Sequence, residues 1–295
     1  MPRPGLARKL APLHAPSRHA LFTHPPRAVD ATLPIRIRYS TEAASPSLAS
    51  FAYGPTAAAT DEAALHLTLP THGGGTAQEH WHSPHPVTRR EAFGARIAED
   101  GNLLYAAWSL DEAAHGGIEA ASEEVYRQIA ALLENGGYPH PIKIWHYLGA
   151  INEGSGDDER YRRFCVGRAS ALIPGQPLPA ATAVGLQAAP DHLTVFLLAA
   201  KVPGIRIENP RQVPAYEYPR AYGPVSPSFS RAMLMPWGQL FVSGTAAVVG
   251  AAVMALIGKG SLDPQIGATF PLAEAAKAQD LLQSAGTAGK IVLKP

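Results

Sequence analysis

The sequence predicts an α/β (α+β) protein, and three observations carry that expectation. Residues 103–110 (LLYAAWSL) read as a buried strand, 118–133 as an amphipathic helix and 142–147 as a second strand, together a strand-helix-strand unit. Residues 193–200 (LTVFLLAA) are apolar on both faces, which marks a central strand. The chain has 295 residues and is 46% hydrophobic, enough for one large core or two ordinary modules.

Taken in order, the first 29 residues hold no Asp or Glu, several Arg and His, and abundant Pro. They read as a flexible arm, residues 1–32; an organelle transit peptide would need an amphipathic helix that the prolines oppose. From Leu33 the pattern changes. Ile35, Ile37 and Tyr39 alternate with Arg36 and Arg38, as in a strand with one buried face, and Leu65, Leu67 and Leu69 repeat the alternation. His80, His82 and His85 (EHWHSPHP) are the most metal-like cluster, but no Cys or acidic set recurs nearby. A polar loop is the favoured reading, with no metal. In the helix over 118–133, Ile118, Ala121, Val125, Ile129 and Leu132/Leu133 recur at helical spacing, and Asn135-Gly136-Gly137 supplies the stop.

After the strand over 142–147, an Asn152–Gly156 break precedes Asp157, Asp158 and Glu159, which suit the positive end of a helix dipole. In that helix Tyr161, Phe164/Cys165, Arg168 and Leu172 share one face. A phenol and a guanidinium two turns apart, both turned inward, suit a small planar carboxylate: one hydrogen bond and one bidentate ion pair. The plain structural alternative is that Arg168 pairs with a structural carboxylate and Tyr161 only packs. Further strands are expected at 182–186 and 193–200.

Residues 209–230, rich in Pro and Tyr, read as a long ordered connection that lays its tyrosines over the junction between modules. Between Arg231 and Lys259 there is no charge, so 240–257 invites comparison with a membrane span. Its Ser, Thr and Gly content and the absence of a flanking basic cluster favour a buried strand at 239–244 instead, and no membrane. Near the end, Leu272, Ala275, Ala276, Gln279 and Leu282 follow helical spacing, and 291–293 reads as a closing strand.

The net charge of +1, from 25 basic and 24 acidic side chains, provides no field to gather nucleic acid or anionic lipid. One cysteine, Cys165, excludes an internal disulfide framework and fits a reducing compartment, so a cytoplasmic location is expected. It reads as a small buried hydrophobe.

Three long motifs, ENGGYPHPIKIWHYLGAINEGSGDDERYRRFCVGRASAL, PGIRIENPRQVPAYEYPRAYGPVSPSFSRAMLM and QLFVSGTAAVVG, together resemble the chorismatases, which cleave chorismate to pyruvate and a cyclohexadiene or hydroxybenzoate. The resemblance covers roughly residues 33–250. It implies a RidA-like protein: a diverged amino-terminal module at 33–208, the connection at 209–230, and the start of a second, incomplete RidA-like module at 231–250. It also implies substrate contacts for Tyr161 and Arg168, a place in the pocket wall for Tyr105, and a product-tuning position at Ala246. Cys165 stands where the family usually has Asn.

Beyond residue 250 the chain departs from that family. Residues 258–295 resemble the carboxy-terminal end of quinone-reductase-type dehydrogenases, with the pattern PLxxAxxAxxLLxSxGxxGKIVL and no GxGxxG-type nucleotide loop. The glutamate that the family uses as general acid is therefore missing, and Glu274, which belongs to the unrelated tail (251–295), is not assigned its role. Enol-ether cleavage needs a carboxylic acid kept protonated by burial, cations for two carboxylates, and no cofactor. Arg231 or Arg211 could supply a second cation. The expectation is a chorismatase-like protein with impaired activity, the alternative a non-catalytic remnant that binds a chorismate-like dicarboxylate. Strands left without partners would favour self-association.

Overall fold

In the computed structural model the described residues are 34–39, 47–54, 64–67, 77–172, 175–186, 192–210, 212–244, 266–271, 274, 277, 281 and 290–294. The chain divides into two units, Met1–Thr32 and Leu33–Pro295, the first wholly outside those residues.

In the second unit β1 (Arg36–Tyr39), β2 (Ser47–Tyr53), β3 (Ala64–Leu67) and β4 (Ala77–His82) form one sheet in the order β1-β4-β2-β3. Then come β5 (Thr88–Ala92), β6 (Ala95–Glu99), β7 (Leu103–Asp111), α1 (Ile118–Asn135), β8 (His140–Gly149), α2 (Arg160–Ser170), β9 (Ala180–Leu186) and β10 (His192–Ala200). Their six strands are ordered β5-β6-β7-β10-β8-β9. β10 runs antiparallel to both its neighbours, so the predicted strand-helix-strand unit has its two parallel strands split by an inserted third.

Side-chain alternation along these strands builds two cores on opposite faces of the larger sheet. Leu104, Ala106, Trp108 and Leu110 of β7 join Leu193, Val195 and Leu197 of β10 under the helices. Leu103, Tyr105 and Ala107, with Phe196 and Leu198, pack on the other face against Phe51 and Trp81 of the four-stranded sheet. The doubly apolar β10 is therefore central, as its composition predicts. Opposite Leu198 and Ala199 of β10, β8 carries one extra residue, Ile142, so Ile142 reaches the second core while Ile144 and Leu148 remain in the first.

α1 buries Ile118, Ala121, Val125, Ile129, Leu132 and Leu133, the expected stripe, together with Ser122 and Tyr126. α2 begins one turn later than its acidic run suggests, because Gly156–Asp158 forms a short 3-10 turn and the α-helix starts at Arg160. The two helices touch at Gly167. A Cβ there would lie far inside van der Waals contact with the Glu119 carbonyl oxygen, so only glycine permits this approach. The start of α2 is also pinned by Arg160, whose Nη2 reaches Glu112 Oε1 and Oε2 at 2.9 and 2.7 Å and whose Nε donates to Gly149 O at 3.2 Å. At the other side of the sheet, Phe93 and Gly94 both take positive φ (53° and 69°) in the two-residue turn between β5 and β6, a type I′ geometry. The Trp108 indole donates to Phe93 O at 2.9 Å and holds that turn.

Several expectations are corrected. β1 forms, but all four of its residues are exposed, because it is an edge strand; only Ile35, just before it, is buried. His80 and His82 lie in β4 rather than in a loop. His80 is buried there, its Nδ1 3.0 Å from Ser50 Oγ. The strand expected at 239–244 forms as β13 (Leu240–Val242), paired with β12 (Ala232–Leu234) and through it β11 (Ile205–Ile207), but Leu240 and Val242 are exposed on its edge. Among the described residues no helix is long and apolar enough to cross a membrane.

The connection at 209–230 holds two 3-10 turns, Ala215–Glu217 and Arg220–Tyr222, and packs Tyr218 against Ala181, Ala215 and Phe229. In the tail, β14 (Ile266–Pro271) and β15 (Lys290–Lys294) pair in parallel, and Lys277 forms an ion pair with Glu274. The helix expected from Leu272, Ala275, Ala276, Gln279 and Leu282 falls on positions outside the described residues.

Candidate functional site

The inward face of α2 closes a pocket of about 180 Å³ against the end of β8, β9, the end of the Pro/Tyr-rich connection and Gly244 beyond it. Phe164 and Phe229 form its aromatic walls, and Ala181 and Ala183 its small-residue floor. The polar groups are Tyr161 and Arg168 from α2, His146 from β8, Asn152 and Thr182. Helical spacing and strand alternation bring these groups together from segments far apart in sequence.

Arg168 is buried at 3% exposure, and no carboxylate pairs with it among the described residues. Its guanidinium lies over the Tyr126 ring, 4.9 Å from the centroid, one Nη donates to Ser228 O, and Nε is buried with no hydrogen-bond partner. A buried cation without a counter-charge is unfavourable in an empty protein and favourable once an anion enters. Tyr161 stacks on Phe164 at 6.1 Å, and burial raises its phenol well above the usual tyrosine range, so at ordinary pH it keeps its O–H and can donate a hydrogen bond. Burial likewise pushes the neighbouring Cys165 thiol up to about 11, which leaves it a neutral packing group.

His146 fixes the polarity of the floor. Its Nδ1 lies 2.9 Å from Thr182 O, which can only accept, so Nδ1 carries the hydrogen. Nε2, 2.6 Å from Tyr126 Oη, then accepts from that phenol. Burial and, after it, the Arg168 charge hold the imidazole pKa well below the usual histidine value. With both nitrogens engaged and the ring neutral, His146 is no proton donor to a ligand.

Thr182 also gathers the neighbouring polar groups. Its Oγ1 accepts from Lys143 Nζ at 2.6 Å and from Gly244 N at 2.9 Å, while Lys143 Nζ also donates to Val242 O at 2.7 Å. Burial lowers the Lys143 pKa from 10.5 to about 8. Between those values the unfolded chain holds a proton that the folded chain lacks, so stability rises with pH across that window. Chemical denaturation should show a gain of roughly 1 kcal/mol from about pH 8 to about pH 9, and Lys143→Met should flatten it. An equal gain in the variant would dismiss Lys143 as its source.

The sequence-selected residues are distributed unevenly. Tyr161 and Arg168 meet in the pocket, but Tyr105 lies on the opposite face of the sheet, among Phe51, Trp81 and Phe196, with its hydroxyl unpartnered. Arg231 is buried outside the pocket lining and donates to Val213 O and to Tyr218 Oη. Ala246 and Arg211 lie outside the described residues. Sequence reasoning missed Tyr126, His146, Thr182 and Phe229. Two of these carried a signal: His146 alternates with Ile144 and Leu148, and Tyr126 continues the spacing of Ile118 and Ser122.

Comparison with known proteins locates two distinct likenesses. Residues 79–199 match the family model described as chorismatase FkbO/Hyg5-like, N-terminal, and residues 216–293 match one described as zinc-binding dehydrogenase. The chain is 38% identical over 173 residues to a 3-hydroxybenzoate synthase of Streptomyces hygroscopicus, covering 54% of this chain and 50% of that one. It is 37% identical over 183 residues to a chorismatase of Streptomyces rapamycinicus, covering 58% and 54%. The chain thus spans about half the length of these relatives. A crystal structure of a chorismatase superposes with a TM-score of 0.63 at 31% identity, over 73% of this chain and 70% of that one.

The dehydrogenase-like stretch contains neither His nor Cys between residues 216 and 293, so its own side chains do not fit a tetrahedral zinc site, and no chemistry is derived through zinc.

Proposed function

Because this chain belongs to the chorismatase family, we propose that its pocket binds a chorismate-like dicarboxylate and that the chain releases pyruvate from it far more slowly than a complete chorismatase does. The observation that carries this reading is the buried, carboxylate-free guanidinium of Arg168 at the pocket wall. One ligand carboxylate takes the two N–H groups that a guanidinium fork presents, Tyr161 donates a further hydrogen bond, and Phe164 and Phe229 enclose the ring.

Cleavage of the enol ether begins with a proton added to the methylene carbon of the enolpyruvyl group. The electron pair of that double bond forms the new C–H bond and leaves an oxocarbenium centre; water adds there, and the hemiketal collapses to pyruvate and the ring alcohol. The step needs a carboxylic acid. Among the described residues none lining the pocket is Asp or Glu, Tyr161 is too weak an acid, and His146 has its one N–H committed to Thr182 O. A general acid contributes about 10²–10⁴ in rate, so binding without proportionate turnover is the expected behaviour.

Calorimetric titration of the full chain with chorismate, alongside a coupled pyruvate assay against a full-length chorismatase, tests both halves. Binding with turnover roughly 10²–10⁴-fold slower supports the proposal. Equal turnover removes the impairment, and no chorismate binding removes the ligand assignment.

A further inference from the structure

Arg168 does not hold itself in place. Among the described residues its side chain meets a single carbonyl, Ser228 O, and the face of Tyr126, and its Nε is buried without a partner. A long side chain with so few hydrogen bonds would lose its aim unless something rigid stood behind it. We propose that Tyr126 and His146 are positioning residues that brace the guanidinium of Arg168 for an incoming carboxylate.

The brace follows from hydrogen-bond polarity. Thr182 O accepts from His146 Nδ1, which leaves a lone pair on Nε2 and obliges the Tyr126 hydroxyl to donate to it at 2.6 Å. The phenol therefore has a fixed donor direction, and its ring plane is set nearly parallel to the imidazole, 20° apart at 5.9 Å. Phe164 meets His146 edge-to-face at 4.9 Å and restricts that ring's tilt. Arg168 lies over a face of the ring so held, 4.9 Å from its centroid. A cation over an aromatic face is attracted to the ring quadrupole, and more strongly where water is excluded. The chain of contacts runs from the β9 backbone through a histidine and a tyrosine on two other elements to the α2 arginine. Histidine, tyrosine and arginine are all buried, and neither ring reaches a ligand by way of its own polar atoms.

The proposal rests on the ligand reading above only for its purpose, and its test begins without ligand. In the full chain with isotope-labelled arginine, heteronuclear NMR reads the Arg168 Nε–H, assigned by its loss in Arg168→Met. The braced side chain should give one sharp, slowly exchanging signal. Tyr126→Leu and His146→Phe should each speed its exchange with solvent roughly tenfold, and Tyr126→Leu should also weaken chorismate binding roughly tenfold. Tyr126→Phe keeps the ring and drops only the hydroxyl; it should move exchange in the same direction by less, and it stands in if the leucine variant does not fold. Labelled histidine should report a neutral ring with hydrogen on Nδ1. Unchanged Arg168 exchange in Tyr126→Leu and His146→Phe overturns the brace, as does hydrogen on Nε2 of His146. Faster exchange in a chain whose wild type ignores chorismate keeps the brace and overturns the ligand reading instead.

Discussion

Arg168→Met should weaken chorismate binding by at least about 100-fold, corresponding to the loss of a charge-assisted, bidentate contact worth roughly 3 kcal/mol. The same variant should melt no lower than the wild type, and higher if the desolvation term dominates. Both halves have one cause. In the unliganded protein the guanidinium is a buried positive charge with one carbonyl, one aromatic face and, among the described residues, no acidic partner. Replacing such a group with an apolar chain of similar length removes an electrostatic burden at little cost in packing. A structural ion pair would behave in the opposite way, so the pairing of lost affinity with retained stability separates a ligand anchor from a scaffold arginine. Titration calorimetry and thermal melting on one preparation suffice, and a strongly destabilised variant would defeat the reading.

The second large effect is expected at Glu112. Its carboxylate accepts both bonds from Arg160 Nη2, and the two side chains are only 5% and 16% exposed. Glu112→Ala leaves Arg160 buried with the Gly149 carbonyl as its remaining partner, and should cost roughly 3 kcal/mol in urea denaturation. The double replacement Glu112→Leu with Arg160→Met should recover most of that loss, because no uncompensated charge then remains. If the single and double variants were equally unstable, the pair would owe its effect to shape rather than charge. The pair joins the end of β7 to the first turn of α2, so the single replacement should also disturb the ligand pocket, whereas Lys143→Met acts through β9 and β13.

Periodicity made the helices and the central strand legible. The stripe Ile118, Ala121, Val125, Ile129 is a strong 3.6-residue signal, and LTVFLLAA has no polar face to mislead. Tyr161 and Arg168 were found because two turns of helix bring them onto one side, a relation that needs no tertiary knowledge. The rest of the pocket is tertiary. Thr182, Phe229 and Gly244 come from three separated stretches, and no local spacing announces that they converge. Edge strands were misread for a related reason: Ile37 and Leu240 carry the alternation of a half-buried strand, yet whether anything covers that face depends on sheet order. The hairpin at Phe93 and Gly94 escaped notice because phenylalanine is a poor turn residue. It is tolerated at positive φ where the Trp108 indole secures its carbonyl.

Gly167 gives the pocket an unusual dependence. The helix bearing the proposed anchor is pressed so closely on its neighbour that a single methyl would have to lift it, and Arg168 is the next residue along. The vertical distance between guanidinium and floor is thus governed from the back of the helix, at a residue that never faces the cavity. Ligand size in this scaffold could be tuned from behind, by altering how deeply two helices nest, with every lining side chain left untouched.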